Sequence, residues 1–187
     1  MKPLKLEIAA DVEDLAWPPE SRELSLDSPA LEFFTDFLET KPLVIESNVS
    51  AIEVQMLMQK AHVRMKIVID DKGRFMGVVT ADDLLDRKIL QHVSQGDSRK
   101  DIKVTDMMTP RRDLKALSYT AVTSAKISDV TSALKNSGEQ HCLVVDRQRN
   151  QVRGVFSASD ISRKLHLPID IQSMSNFYRV FASTAQR

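Results

Sequence analysis

A mixed α/β fold is what this sequence predicts: two tandem β-α-β-β-α units packed about a pseudo-two-fold axis, with helices flanking them at both ends. Three observations lead there. The stretch Gly77-Val78-Val79-Thr80-Ala81-Asp82-Asp83-Leu84 returns as Gly154-Val155-Phe156-Ser157-Ala158-Ser159-Asp160-Ile161, 77 residues later. Upstream, Ile67-Val68-Ile69-Asp70 returns as Leu143-Val144-Val145-Asp146, and Val54, Leu57 and Met58 match Val130, Ala133 and Leu134, both at an offset of 76. A chain of 187 residues, 42% apolar and 28% charged, suffices for one core or for two half-domains sharing one. A unit of about 50–60 residues leaves a sheet face uncovered, so the two copies should pack on each other and leave two equivalent clefts between them.

The first copy reads in order. A strand is expected over 42–46. A helix follows from about Ser50 to Ala61, with Ser50 as N-cap and Glu53 three residues on. Strands over 66–70 and 75–79 flank Asp71-Lys72-Gly73, which has hairpin chemistry. Thr80 or a neighbour should then open a second helix through Leu84 and Leu85. The second copy runs parallel: a strand near 119–122, a helix over 128–136 stopped by Gly138, strands over 142–146 and 152–156, and a helix from Ser157. The one-residue slip between copies falls between Asp70 and Gly77, where a hairpin tolerates a length change. The expected divisions are an acidic N-terminal segment with a helix (1–40), motif one (41–90), a linker (91–104), motif two (105–166) and an amphipathic C-terminal helix (167–187).

Both ends carry apolar faces. Trp17-Pro18-Pro19 reads as a turn or extended segment. Ser28-Pro29 should begin a helix through Leu31, Phe33, Phe34, Phe37 and Leu38. Ile171, Met174, Phe177, Tyr178 and Phe181 fall along one helical stripe. Either these segments cover the sheets of the module, or they dimerise it or dock a partner.

Composition excludes several classes. No run of about 18 uncharged apolar residues exists, so membrane insertion is not expected. Met1 to Glu7 lacks the apolar core of a secretory signal, and the single Cys142 precludes an intramolecular disulfide framework; a reducing cytoplasm is the expected compartment. Net charge is zero, yet residues 1–40 carry three Lys/Arg against ten Asp/Glu, a net −7, leaving +7 on residues 41–187. So mild an excess suits a small anion at least as well as nucleic acid, and no aromatic-basic interleaving favours the latter. His62, His92, His141 and His166 have no metal-ligand spacing. His141 and Cys142 are neighbours that would point to opposite faces of a strand, a poor base–nucleophile couple. No catalytic constellation emerges, so an enzyme is not expected.

The duplicated Gly-h-h-(Thr/Ser)-x-x-Asp phrase, each following an h-h-h-Asp strand, resembles the cystathionine β-synthase (CBS) domain pair, or Bateman module. Val104-Thr105-Asp106-Met107-Met108-Thr109-Pro110, ahead of the second copy, is a further mark of that family. The resemblance covers roughly residues 41–166. It implies a regulatory module that binds an adenosine-containing ligand (AMP, ADP, ATP or S-adenosylmethionine) between its repeats. It implies too that the module pairs into a homodimer, needs no cofactor and controls a partner in trans. The adenine would be held by the first strand of a repeat and by the segment before its second strand. These are Leu43, Val44, Val63 and Arg64 in copy one, and Tyr119, Thr120, Gln140 and His141 in copy two. His141 stands where relatives often carry an arginine that meets phosphate. Ile67 and Leu143 stand where many relatives have a proline.

The physics of the motif agrees with that resemblance. Thr80 and Ser157 sit at strand-to-helix junctions, where a hydroxyl and free N–H groups can cradle a phosphate. Asp83 and Asp160, three residues on, can each accept two hydrogen bonds from a ribose diol. Gly77 and Gly154 remove a side chain where backbone or ligand approaches. The same Ser/Thr-x-x-Asp spacing also caps a helix with no ligand at all, which would leave a scaffold for protein–protein contact. Arg111-Arg112 would either reach phosphates or a partner's acidic surface, or stand in solvent.

Overall fold

The structure, a computed structural model, describes residues 14–16, 23–96 and 98–166. Trp17-Pro18-Pro19 and the C-terminal stripe from Ile171 to Phe181 lie outside the described residues. The elements are β1 (Thr35–Asp36), β2 (Val44–Glu46), α1 (Ala51–Lys60), β3 (Met65–Ile69), β4 (Phe75–Thr80) and α2 (Asp86–Ser94). After these come α3 (Val104–Met107), β5 (Thr109–Pro110), β6 (Ala116–Ser118), α4 (Tyr119–Val122), α5 (Ile127–Ser137), β7 (His141–Asp146), β8 (Gln151–Ser157) and α6 (Ala158–Leu165).

Two four-stranded sheets form, in the orders β2-β3-β4-β5 and β1-β8-β7-β6. In each, the first strand of the repeat runs parallel to the second, and the hairpin that follows is antiparallel. Ser50 caps α1 as its sequence predicts, its Oγ accepting from Glu53 N–H at 3.3 Å. Gly138, at φ +69°, ends α5 in the left-handed conformation that glycine adopts without strain. The turns use carboxylates: Asp70 Oδ1 accepts from the N–H groups of Lys72 and Arg74, and Asp146 Oδ1 from those of Gln148 and Arg149. The slip between copies lies here, since Asp146 pairs with Gln151 while Asp70 has left the ladder.

The fourth strand of each sheet comes from the segment that precedes the opposite repeat. Residues 102–111 lead into copy two and close the sheet of copy one; residues 28–37 lead into copy one and close the sheet of copy two. The bonds correspond one for one. Ala51 N–H donates to Ile102 O and Val104 N–H to Val49 O; Ile127 N–H donates to Ser28 O and Ala30 N–H to Ala125 O. β5 lies over Gly77 and β1 over Gly154. This corrects the expected helix through Leu31 and Phe37. Only Ala30–Phe33 is helical, as one 3-10 turn, because Thr35 and Asp36 are held extended by the ladder to Val155 and Gly154. Residues 28–37 thus pair with the second repeat.

Three clusters make the core. Phe33, Val122, Leu134, Phe156 and Ile161 fill one half, and Val54, Met58, Val79, Leu84, Ile89 and Ile102 the other. Ile67, Val78, Leu143 and Val155 join the two sheets, with Phe37, Met65, Phe75 and Val152 around them. Burying Phe33 anchors the N-terminal segment to the far repeat; losing so large a side chain costs about 3–5 kcal/mol.

The two glycines make the closure testable. A Cβ at Gly77 would strike Thr109 O, and one at Gly154 would strike Thr35 O and the Phe34 ring. Gly77→Ala and Gly154→Ala should each cost about 1–3 kcal/mol, a melting-point loss of roughly 2–12 °C. Gly73→Ala, with open space around its Cβ but φ +73°, reports backbone strain alone; no loss at Gly77→Ala and Gly154→Ala would show that the strands do not press on those glycines.

Candidate functional site

Strand pairing brings the two copies of the motif to matching places. Thr80 ends β4 and pairs with Met65; Ser157 ends β8 and pairs with His141. Ala81 N–H donates to Arg64 O and Ala158 N–H to Gln140 O, each at 2.9 Å. The counterpart of Arg64 is therefore Gln140, and that of His141 is Met65. Leu43 and Val44 enter β2 at the same sheet end, with Ile67 N–H donating to Leu43 O at 2.9 Å, and both side chains are exposed.

Tyr119 and Thr120 require a correction. The first strand of copy two is Ala116–Ser118, and Tyr119 already begins α4. Ser118 aligns with Val145 near the hairpin, so both residues lie at the opposite end of the sheet from His141 and Ser157. Ala116 takes the place that Val44 has in copy one. Tyr119 packs instead beneath the Arg153 guanidinium, 4.4 Å from its ring centroid, and beside Phe34. Arg153 also meets Asp36 in a two-pronged pair, with Nε to Oδ1 at 2.8 Å and a terminal nitrogen to Oδ2 at 2.7 Å. The Arg153 bonds hold the Asp36 carboxyl below the usual carboxylate range.

The motifs themselves differ. In copy two the expectation holds: Ser157 is the N-cap of α6 and Asp160 lies in its first turn. Ser157 Oγ and Ser159 Oγ share a hydrogen bond at 2.8 Å, and Asp160 Oδ1 accepts from Arg163 at 3.0 Å. In copy one no helix starts at Thr80. Residues 81–84 form a turn, and α2 begins only at Asp86, after an extended Leu85. Here Asp83 folds back on Thr80: its Oδ2 accepts from Thr80 N–H at 2.9 Å and from Thr80 Oγ1–H at 2.7 Å. Its Oδ1 accepts from Lys88 Nζ at 3.1 Å.

Where the copies face each other the charges are mixed. Arg64 pairs with Asp82 at 3.3 Å across the motif of copy one. His141, from copy two, feels Asp160, Arg64 and Asp82. Burial lowers its pKa most, Arg64 lowers it further, and the two carboxylates oppose them. Its Nδ1 is buried without a hydrogen-bond partner. Burial also pushes the Cys142 thiol up, which suits a packing residue better than a nucleophile. A cavity of about 510 Å³ opens beside Arg64, between α1 and the 81–85 turn. Gln55, Gln59, His62, Val63 and Asp82 contribute to its lining, and neither Thr80 nor Asp83 does. Arg111 and Arg112 lie exposed on the turn after β5. Among the described residues no group of three His, Cys, Asp or Glu is placed to hold a metal ion, and no helix is long and apolar enough to cross a membrane.

Sequence reasoning missed Lys88, the cavity-lining Gln55 and Gln59, and the Asp36–Arg153 pair. For the last a signal existed: Arg153 puts a charge where copy one has Met76, and Asp36 stands where the other closing strand has Pro110.

Two sheets closed reciprocally, with matching hydroxyl-x-x-carboxylate phrases at one end of each, define a paired-repeat module. Comparison with known proteins agrees. The family model of the CBS domain matches residues 35–89. A CBS domain-containing protein of Dictyostelium discoideum is 34% identical over 82 residues, 43% of this chain and 57% of that protein's length. An uncharacterised conserved protein from Pyrococcus horikoshii shares the fold, with a TM-score of 0.56, 23% identity, and 75% and 93% of the two chains covered. So does CBSX2, solved in complex with AMP, with a TM-score of 0.54, 24% identity, and 73% and 94% covered. Residues 35–89 thus match the CBS domain model, and about three quarters of the chain shares its fold with CBSX2 and the Pyrococcus protein.

The buried imidazole yields a pH dependence. With its folded pKa below the ordinary 6.5, His141 takes up a proton more readily in the unfolded chain. Its contribution to stability is full above about pH 6.5 and falls as pH drops toward the folded pKa. Asp36 and Asp70, both held low, act only near and below 3.8. Thermal melts from about pH 7.5 to 5 should therefore show a shallower loss for His141→Gln than for the natural protein. Parallel curves would mean that His141 is not buried as described.

Proposed function

We propose that this protein is a regulatory module that binds an adenosine-containing ligand (AMP, ADP, ATP or S-adenosylmethionine) between its two repeats and controls a partner in trans. The observation that carries this is the duplicated phrase. Thr80 with Asp83, and Ser157 with Asp160, end equivalent strands where Arg64 and His141 of facing repeats come within electrostatic reach. A hydroxyl, a carboxylate and backbone donors at a strand end suit the polar rim of a nucleoside, and Leu43 and Val44 offer exposed aliphatic surface to its base. The fold shared with CBSX2, which was solved with AMP, supports the same reading. Binding across two repeats would shift the angle between them, and that shift is what a partner would sense. Exposed Met56, Leu57, Leu85 and Leu90 on and beside α1 and α2 give such a module surface for pairing into a homodimer. The expected setting remains the cytoplasm.

One observation favours a second reading, a scaffold without ligand. The mutual bonds of Thr80 and Asp83 close a turn and need no other partner.

A thermal-shift screen against AMP, ADP, ATP and S-adenosylmethionine separates the two. A site filled at a hundredfold excess over its dissociation constant adds about 2.7 kcal/mol, roughly 5–11 °C for a chain of this size. Asp83→Ala with Asp160→Ala in one protein should abolish the shift. No shift with any of the four, in protein first shown free of co-purified nucleotide, would leave the scaffold.

A further inference from the structure

Resting on the reading that the module binds an adenosine ligand, we propose that Lys88 keeps the motif of copy one shut. The chain then takes one such ligand, on the Asp160 side. A carboxylate offers about four acceptor positions, and at Asp83 three are filled by its own chain: Thr80 N–H, Thr80 Oγ1–H and Lys88 Nζ. Its side chain is 18% exposed, against 38% for Asp160. A ribose diol arriving at Asp83 would have to expel that ammonium to find two free acceptor positions on Oδ1.

Asp160 carries no such load. No bond ties it back to Ser157, whose hydroxyl is engaged with Ser159. Its partner Arg163 is 76% exposed, an (i, i+3) surface pair that exchanges with solvent readily. The fifth position after Asp83 is Lys88; the fifth after Asp160 is Leu165, which is buried. Copy two therefore lacks the bolt as well as the closed turn.

A second observation points the same way. His141, a residue of copy two whose charge interacts with Asp160 as well as with Arg64 and Asp82, has its Nδ1 buried and unmet. Buried polar groups are nearly always hydrogen-bonded, so an orphan nitrogen marks a place where a further group belongs. The matching position in copy one is Met65, which offers no hydrogen bond.

Titration calorimetry with AMP and, separately, S-adenosylmethionine reads the stoichiometry directly. The natural chain should take one equivalent of whichever probe binds. Asp160→Asn should weaken it by at least about tenfold, the loss of charged hydrogen bonds. Arg163→Ala, which leaves Asp160 in place, should bind as well or better and guards against a folding defect in the first variant. Lys88→Met should keep the first equivalent at unchanged affinity and add a second. Two equivalents in the natural chain, unaltered affinity in Asp160→Asn, or a single equivalent in Lys88→Met would each overturn the assignment while leaving an adenosine-binding module. No heat with either probe in folded protein would overturn the adenosine reading itself and the assignment with it.

Discussion

Everything else in this molecule depends on the backbone contact made over Gly77 and Gly154. Each sheet is completed by a strand from the lead-in of the other repeat, and that strand lies so close that no Cβ fits beneath it. The constraint couples sequence to architecture. With β1 and β5 docked, Phe33 and Met107 are drawn into opposite halves of the core, and neither half is complete without its borrowed segment. Each repeat alone would be too small to bury enough apolar surface. The borrowed segments and the seam of Ile67, Val78, Leu143 and Val155 make the pair the folding unit.

The same contact explains why the halves are similar but not interchangeable. Both hairpins skip one residue in the ladder, at Met76 and at Arg153. A bulge re-aims the extra side chain. In copy one the extra residue is apolar and packs against the core. In copy two it is Arg153, which reaches the incoming Asp36 and stacks on Tyr119. The N-terminal strap is thus tied by a geometry-specific ion pair that its counterpart lacks. A strap arriving from a hundred residues away gains register from such a pair; β5, which follows its own sheet closely in sequence, has less need of it.

Much of the fold was legible in the sequence because the repeat is written in residues whose physics is local. Ser50 capping, the Asp71-Lys72-Gly73 turn and the Gly138 stop depend on a few neighbours, and each stands where it was expected. What was illegible is non-local. Leu31 to Leu38 have helical spacing, yet Thr35 and Asp36 are claimed by a ladder to residues about 120 positions away. Tertiary pairing overrides so weak a local preference. The first strand of copy two was misplaced because Ala116-Leu117-Ser118 carries little β-forming character of its own; its pairing with Leu143 to Val145 makes it a strand.

The two motifs diverge although their spacing is the same. Thr80-Ala81-Asp82-Asp83 and Ser157-Ala158-Ser159-Asp160 are equally good capping phrases. In copy two Ser159 takes the hydroxyl of Ser157, and the carboxylate three residues on stays turned outward. In copy one the equivalent residue is Asp82, whose charge is drawn to Arg64, and Thr80 is left for Asp83. Residues 81–84 form a turn there, and α2 starts at Asp86. That delay puts Lys88 in the first turn of α2, within reach of Asp83 Oδ1. The two phrases thus make different bonds at the ends of equivalent strands, Thr80 with Asp83 in one copy and Ser157 with Ser159 in the other.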